Sequence, residues 1–437
     1  MKLYSTNKQV PEVGLKEALF RGLPADNGLY MPTEIPSLPS SFFENIENLS
    51  FKEIAFEVAK TLLQNDIAED KLKTIIDDAV NFDAPVVKVK DNKHVLELFH
   101  GPTLAFKDFG GRFMGRIMQH YLEEGERVHI LVATSGDTGS AVAQGFLGMD
   151  GIDVTILYPK GKVSFIQEQQ LTTNGQNIKA LEIDGTFDDC QRMVKEAFLD
   201  KELNAHLHLT SANSINICRL IPQSFYYFYA YAQTKALGKP VVFCTPSGNF
   251  GNLCGGLIAE RMGLPIHQFI ASTNANDIVP TYLKTKEFTP RPSVKTLSNA
   301  MDVGNPSNFP RLMALHEDSY EKVSSRIKGY AYNDEQTLEK MKEVYQESAY
   351  VMCPHTAVGY YGLEDYLKET KEDVTGIVLG TAHPVKFKDI VEDNLSKEIE
   401  MPQRLKELIE REKQAISMGT EFSELKEYLL EMAMSQK

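Results

Sequence analysis

From Val128 onward, short apolar runs rich in branched residues alternate with stretches of helical periodicity. This alternation constrains the fold more than any other feature of the chain. Residues 128–134, 154–158, 178–183, 241–245, 268–272 and 376–379 read as buried strands. Amphipathic stretches lie between them at 140–147, 187–199, 219–236 and 251–262. Strands taken in turn with helices imply a mostly parallel sheet in an α/β protein.

Three regions fall outside that rhythm. Residues 1–90 are helix-rich, hold the turn Gly22-Leu23-Pro24-Ala25-Asp26-Asn27-Gly28, and are expected to form a separate N-terminal unit. Residues 273–330 break the pattern with prolines and polar side chains and read as an insertion. Residues 402–434 read as exposed helices, with an apolar stripe kept in Arg404-Leu405-Lys406-Glu407-Leu408-Ile409. The expected division is therefore 1–90, a large body made of 91–124 and 210–437, and a smaller mobile body, 125–209. No solenoid-length repeat or low-complexity tract is visible.

With 437 residues, 42% hydrophobic and 24% charged, the balance is that of a globular chain with ample core. A formal net charge of −14 argues against nucleic acid or an anionic membrane as the main partner. A small anionic substrate stays open, since a local cluster of donors can dominate a pocket. The five cysteines are scattered without a C-x-x-C pair, which reads as reduced thiols and neither a disulfide frame nor a metal site. No apolar run reaches the roughly 18 residues of a bilayer span, and residues 1–14 lack a signal-peptide core. The expected compartment is the cytoplasm.

Four segments carry side chains out of keeping with a plain scaffold. In His100-Gly101-Pro102-Thr103-Leu104-Ala105-Phe106-Lys107-Asp108-Phe109, Lys107 sits among apolar neighbours at the start of a helix predicted to end near Tyr121. A lysine so placed is either an ordinary solvated cation or an amine of lowered pKa suited to Schiff-base chemistry. Thr134-Ser135-Gly136-Asp137-Thr138-Gly139-Ser140 follows a strand and opens a helix; Asp137 or Thr138 can cap it, and the two glycines let N–H groups reach an anion such as a carboxylate. Pro246-Ser247-Gly248-Asn249-Phe250-Gly251-Asn252 lies in the same context. Having neither a Walker lysine nor G-x-G-x-x-G, it suits one phosphate monoester, or is simply a tight turn. In Asn213-Ser214-Ile215-Asn216-Ile217-Cys218-Arg219, the polar residues either cap a helix or converge with Arg219 on a second anion. Together these ask for a reactive amine, a phosphate cradle and two further anion sites, the inventory of pyridoxal phosphate with a phosphorylated amino acid.

In these segments, and in Tyr158-Pro159-Lys160-Gly161-Lys162-Val163-Ser164, the run 298–308 and Leu379-Gly380-Thr381-Ala382-His383-Pro384, the chain resembles the threonine synthase family over essentially its whole length. More broadly it is similar to the fold type II, tryptophan-synthase-β-like, pyridoxal-phosphate enzymes. The resemblance implies two open, mostly parallel sheets flanked by helices, plus the N-terminal unit. It implies that Lys107 links covalently to pyridoxal 5'-phosphate and shuttles protons, and that Gly248, Asn249, Phe250, Gly251 and Asn252 hold the cofactor phosphate. Ser135, Thr138, Gly139 and Ser140 would hold the substrate α-carboxylate, with Asp137 facing the cofactor where many relatives of this fold carry Asn. Asn213, Ser214 and Arg219 would hold the phosphate of O-phospho-L-homoserine, and Thr381 would bond the pyridine nitrogen. Cys353 gains no role, and His355 reads as a packing or helix-cap histidine.

The implied reaction releases phosphate from Cγ and adds water at Cβ to give threonine. A phospholyase or dehydratase of the same fold, releasing a keto acid, is the alternative. A non-catalytic ligand-binding relative is disfavoured by the intact Lys107, glycine loop and Arg219, and a kinase by the missing Walker lysine. No metal is expected. A monomer is expected, with a homodimer as the alternative.

Overall fold

The computed structural model describes residues 1–64 and 66–435. Two open sheets form its frame. The larger has six strands in the order Ile327–Ala331, Ile266–Thr273, Val241–Pro246, Thr375–Gly380, Lys93–Glu97, Val86–Lys90. All its pairs are parallel except the last, an antiparallel edge hairpin. The smaller sheet is parallel throughout, in the order Ile416–Met418, Ile178–Ile183, Ile152–Pro159, Val128–Ala133, Leu209–Ser211. The α/β class and the two mostly parallel sheets are thus as expected.

Strand order explains where a site can form. In the large sheet the chain builds outward from Val241–Pro246 on one side and sets Thr375–Gly380 on the other. In the small sheet it builds from Val128–Ala133 towards Ile178–Ile183 and places Leu209–Ser211 on the opposite flank. Each reversal leaves a crevice beyond the carboxyl ends of the two diverging strands, where open α/β sheets bind ligands. The loops after these four strands are residues 247–250, 381–383, 134–136 and 212–216, the segments in which the sequence concentrates its glycine and polar side chains.

Three expectations about organisation need correction. The N-terminal residues are helix-rich as expected, but they carry a small sheet and share a core with the large body. Lys2–Ser5 pairs antiparallel with Val13–Gly14 and Tyr30–Pro32, and Val86–Lys90 belongs to the large sheet. Phe51 packs on Phe109 with ring centroids 5.7 Å apart, and Arg112 Nε donates to the Ala79 carbonyl at 3.2 Å. Its apolar residues join one continuous core with the helix Lys107–Tyr121. The stretch 273–330 is likewise no appendage: it supplies the edge strand Ile327–Ala331 and a wall of the cavity described below. The C-terminal segment passes from the large body to the small one: Leu405 buries against Leu104 and Val385 of the first and Ile166 of the second. Ile416–Met418 adds a strand to the small sheet, and Leu425, Leu429 and Ala433 of Phe422–Ser435 bury against Leu181, Cys190 and Met193. The 404–409 stripe thus seats Leu405 where the two bodies meet, while the later helix is a core face of the small body, an assignment that periodicity alone cannot make.

Candidate active site

A cavity of about 500 Å³ opens between the two sheets, walled by all four of those loops. Lys107, the first residue of the helix Lys107–Tyr121, stands in its wall. The turn that aims it is stitched to the end of the central strand Thr375–Gly380. Phe106 N donates to Thr381 O at 2.9 Å and His383 N to Leu104 O at 3.0 Å, with Leu104 in the left-handed region at φ 60°. Asp108, buried behind it, accepts from Thr103 N at 2.9 Å and Thr103 Oγ1 at 2.7 Å, which closes the turn. Burial, reinforced by the Arg219 cation and partly opposed by Asp137, brings the Lys107 amine down from 10.5 to about 8. Lys107 is thus half-buried in the cavity wall and not a surface cation.

The 134–140 loop is held by Thr134, and not by Asp137 or Thr138 as caps. Thr134 Oγ1 accepts from Gly136 N and Gly139 N, each at 2.9 Å, and so satisfies a first-turn N–H of the helix Asp137–Phe146. Gly136 is required: its φ is +131°, and a Cβ there would lie 2.5 Å from Gln167 Cδ. Asp137 turns to Lys386 Nζ at 2.7 Å and accepts from Gln167 Nε2 at 3.0 Å. Lys386 also donates to Thr103 O at 3.0 Å. Asp137 is therefore an ionised carboxylate, held below the usual range by the lysine against the cost of burial. Ser135, Asp137 and Thr138 line the cavity; Gly139 and Ser140 lie behind it, where Ser140 Oγ donates to Gly136 O at 3.0 Å.

On the opposite wall, Ser247 Oγ donates to Asn252 Oδ1 at 2.6 Å and accepts from Phe250 N at 3.0 Å, with Phe250 left-handed at φ 59°. This fixes a compact loop at the N-terminus of Gly251–Arg261, whose first-turn N–H groups have no carbonyl within the helix to bond. The Asn252 side chain is spent on the fold, its Nδ2 donating to Pro246 O, whereas Asn249, whose Oδ1 accepts from Ser307 N and Oγ, lines the cavity. What the loop can offer an anion is its backbone N–H groups and the Asn249 amide. Gly248 lies beneath the 298–308 segment, where a Cβ would sit 2.8 Å from Met301 Cα.

At the end of Leu209–Ser211, Asn213 Nδ2 bonds Ala133 O at 3.0 Å and so ties together the two diverging strands. Asn213 and Ser214 line the cavity; only Asn216 caps the short helix, accepting from Cys218 N. Arg219 departs from expectation. Its guanidinium is buried behind Lys107, not on the cavity wall. Nη1 donates to Ala212 O at 2.6 Å, Nε has no partner, and a Cβ on Gly110 would lie 2.7 Å from Nε. Burial draws it down to about 10.

Three kinds of comparison agree on what this assembly is. Residues 92–380 match the family model "Pyridoxal-phosphate dependent enzyme", residues 2–80 "Threonine synthase N terminus" and residues 356–429 "Threonine synthase, C-terminal". The chain is 42% identical to the threonine synthase of Serratia marcescens over 98% of its length and 99% of that relative, and 40% identical to that of Escherichia coli, again over 98% and 99%. The chain belongs to the threonine synthase family. The crystal structure of the Escherichia coli threonine synthase superposes with a TM-score of 0.92 over 99% of this chain and all of that one. A pyridoxal-phosphate-bound threonine synthase from Brucella melitensis, 35% identical, gives 0.91 over 99% of each chain. Family membership makes the chain a pyridoxal-phosphate-dependent lyase.

The cavity of this threonine synthase family member fits the cofactor: a poised amine stands on one wall, a glycine-bounded helix N-terminus on another, and Thr381 joins them. Sequence reasoning missed several supports. Arg311, wholly buried, donates to Tyr30 O, Ser214 O, Ile215 O and Asn308 Oδ1, so it sets the 213–215 loop. Lys386 follows Thr381 by five residues and pairs with Asp137 across the two bodies. His355 lines the cavity and accepts from Ala300 N at 3.2 Å, with burial lowering it to about 4. It is the expected packing histidine, its ring 4.7 Å from that of Phe387 between centroids. Only the quoted run 298–308 hinted at this wall.

Proposed function

We propose that the chain converts O-phospho-L-homoserine and water into L-threonine and phosphate in the cytoplasm. Bound pyridoxal phosphate would serve as the electron sink for carbanions at the substrate's α- and β-carbons. Lys107 would bind its aldehyde carbon, the backbone of residues 248–252 its phosphate, and the Thr381 hydroxyl its ring nitrogen. A hydroxyl partner leaves that nitrogen less protonated than a carboxylate would, which tunes the sink.

The remaining tasks fall to the chain's own groups. The Lys107 amine, largely neutral from about pH 8 upward, is suited to take a proton from Cα and return it elsewhere on the same face. Ser135, Thr138 and the N–H groups of their loop would hold the α-carboxylate at a helix N-terminus. Asn213 and Ser214 would orient the leaving phosphate. Arg219, set behind Lys107, acts on that amine and on the Ala212 carbonyl. The body around the small sheet, including Ile416–Met418 and Phe422–Ser435, would close on the substrate and exclude water until phosphate has left.

The observation that carries the reading is the convergence of Lys107, the 247–250 loop, Thr381 and the 213–214 loop on one cavity. Its test is product analysis with O-phospho-L-homoserine. Stoichiometric threonine and phosphate are expected from the loaded protein and no turnover from Lys107→Ala, while 2-oxobutanoate in place of threonine would refute it.

A further inference from the structure

A substrate with both a carboxylate and a phosphate brings more negative charge than the described cavity walls can obviously balance. Four ionisable side chains line that cavity: Lys107, Asp137, Lys195 and His355. Lys107 is committed to the cofactor and to proton transfer. Asp137 is an anion paired with Lys386, and His355 accepts a backbone N–H and is neutral. The buried Arg219 stands off the wall. Lys195 remains.

Lys195 lies on the helix Phe187–Leu199, which packs on the small sheet through Cys190, Met193 and Val194. Phe187, Gln191, Val194, Lys195 and Phe198 line the cavity. Their spacing marks one helical face. The helix's other basic residue, Arg192, points elsewhere, bonded to Glu196 Oε1 at 3.1 Å and Thr420 O at 2.7 Å. No carboxylate pairs with Lys195 among the described residues. A second cavity of about 820 Å³ shares Leu23, Phe198 and Leu199 with the first, so the helix's C-terminal end has open space beside it.

We propose that Lys195, with Gln191 one turn before it, is the phosphate clasp of the small body, meeting from across the cleft the phosphate that Asn213 and Ser214 hold. This rests on the substrate proposed above. It makes Lys195 a specificity-determining residue: the ammonium neutralises the phosphate as the small body closes and so couples closure to a phosphorylated substrate.

The test uses the cofactor-loaded full chain, comparing wild type, Lys195→Met and Lys195→Arg. Two readouts are taken: KM and kcat with O-phospho-L-homoserine, and calorimetric binding of inorganic phosphate. Losing one charge-assisted contact predicts a KM higher by roughly 10- to 100-fold in Lys195→Met, and phosphate binding weakened by a similar factor. Cofactor absorbance should not change, and Lys195→Arg should stay within about threefold of wild type. Phosphate binding within twofold of wild type in Lys195→Met overturns the clasp, whatever happens to KM. If the wild type makes no threonine, the functional proposal fails, and the phosphate-binding comparison alone still decides the role of Lys195.

Discussion

The placement of Arg219 behind Lys107 gives a sharp test, because a buried cation beside an amine changes that amine's proton affinity in a known direction. Burial and Arg219 together draw Lys107 from 10.5 to about 8 against the pull of Asp137, which multiplies the neutral amine near pH 7 by roughly 300. Arg219→Met keeps most of the buried volume but removes the charge. The half-point should then rise by about 0.5 to 1, since burial, the larger cause, is retained. Arg219→Lys keeps the cation and should hold the half-point near that of wild type. The assay is the rate at which apo-protein captures pyridoxal phosphate between pH 6.5 and 10.5, followed by absorbance. In wild type the rate should climb with pH as the amine loses its proton, and level above about pH 8. Arg219→Met should still be climbing where wild type has levelled. A wild-type half-point near 10, or a downward move in Arg219→Met, would refute the electrostatic reasoning.

Other consequences follow from the same geometry. Asp137→Asn strands the buried Lys386 ammonium and should cost about 3–5 kcal/mol in urea unfolding. Adding Lys386→Met should recover much of that loss, and a fully additive double mutant would deny the pairing. Gly248→Ala sets a methyl 2.8 Å from Met301 Cα, so the 298–308 segment must shift. Cofactor affinity, read by equilibrium dialysis, should fall at least tenfold with little change in melting temperature. Arg311→Met leaves the carbonyls of Tyr30, Ser214 and Ile215 without their shared donor; a loss of about 3 kcal/mol or more is expected. A raised KM should accompany it, because the 213–215 loop loses its anchor.

Where local pattern is strong, the chain's own residues settled the outcome. Ile178–Ile183 and Phe187–Leu199 occupy the spans that periodicity marks, and the helix from Lys107 ends at Tyr121. Lys107 among apolar neighbours and the glycine-bounded loops are equally local, since an amine's desolvation and a turn's backbone freedom depend on adjacent residues. Short strands were invisible: Leu209–Ser211 and Ile416–Met418 span three residues each, too few for a period to emerge. The partners of side chains lay further out of reach. Nothing near Asp137 announces Lys386, which arrives from the other body, and Arg219 reads as an anion ligand until Gly110 is seen to make room for it behind the wall. Sequence thus determined which segments could carry chemistry, through periodicity and backbone freedom. Strand order and packing decided which groups face the cavity, because a charge buried far along the chain is paired only once the sheets have closed around it.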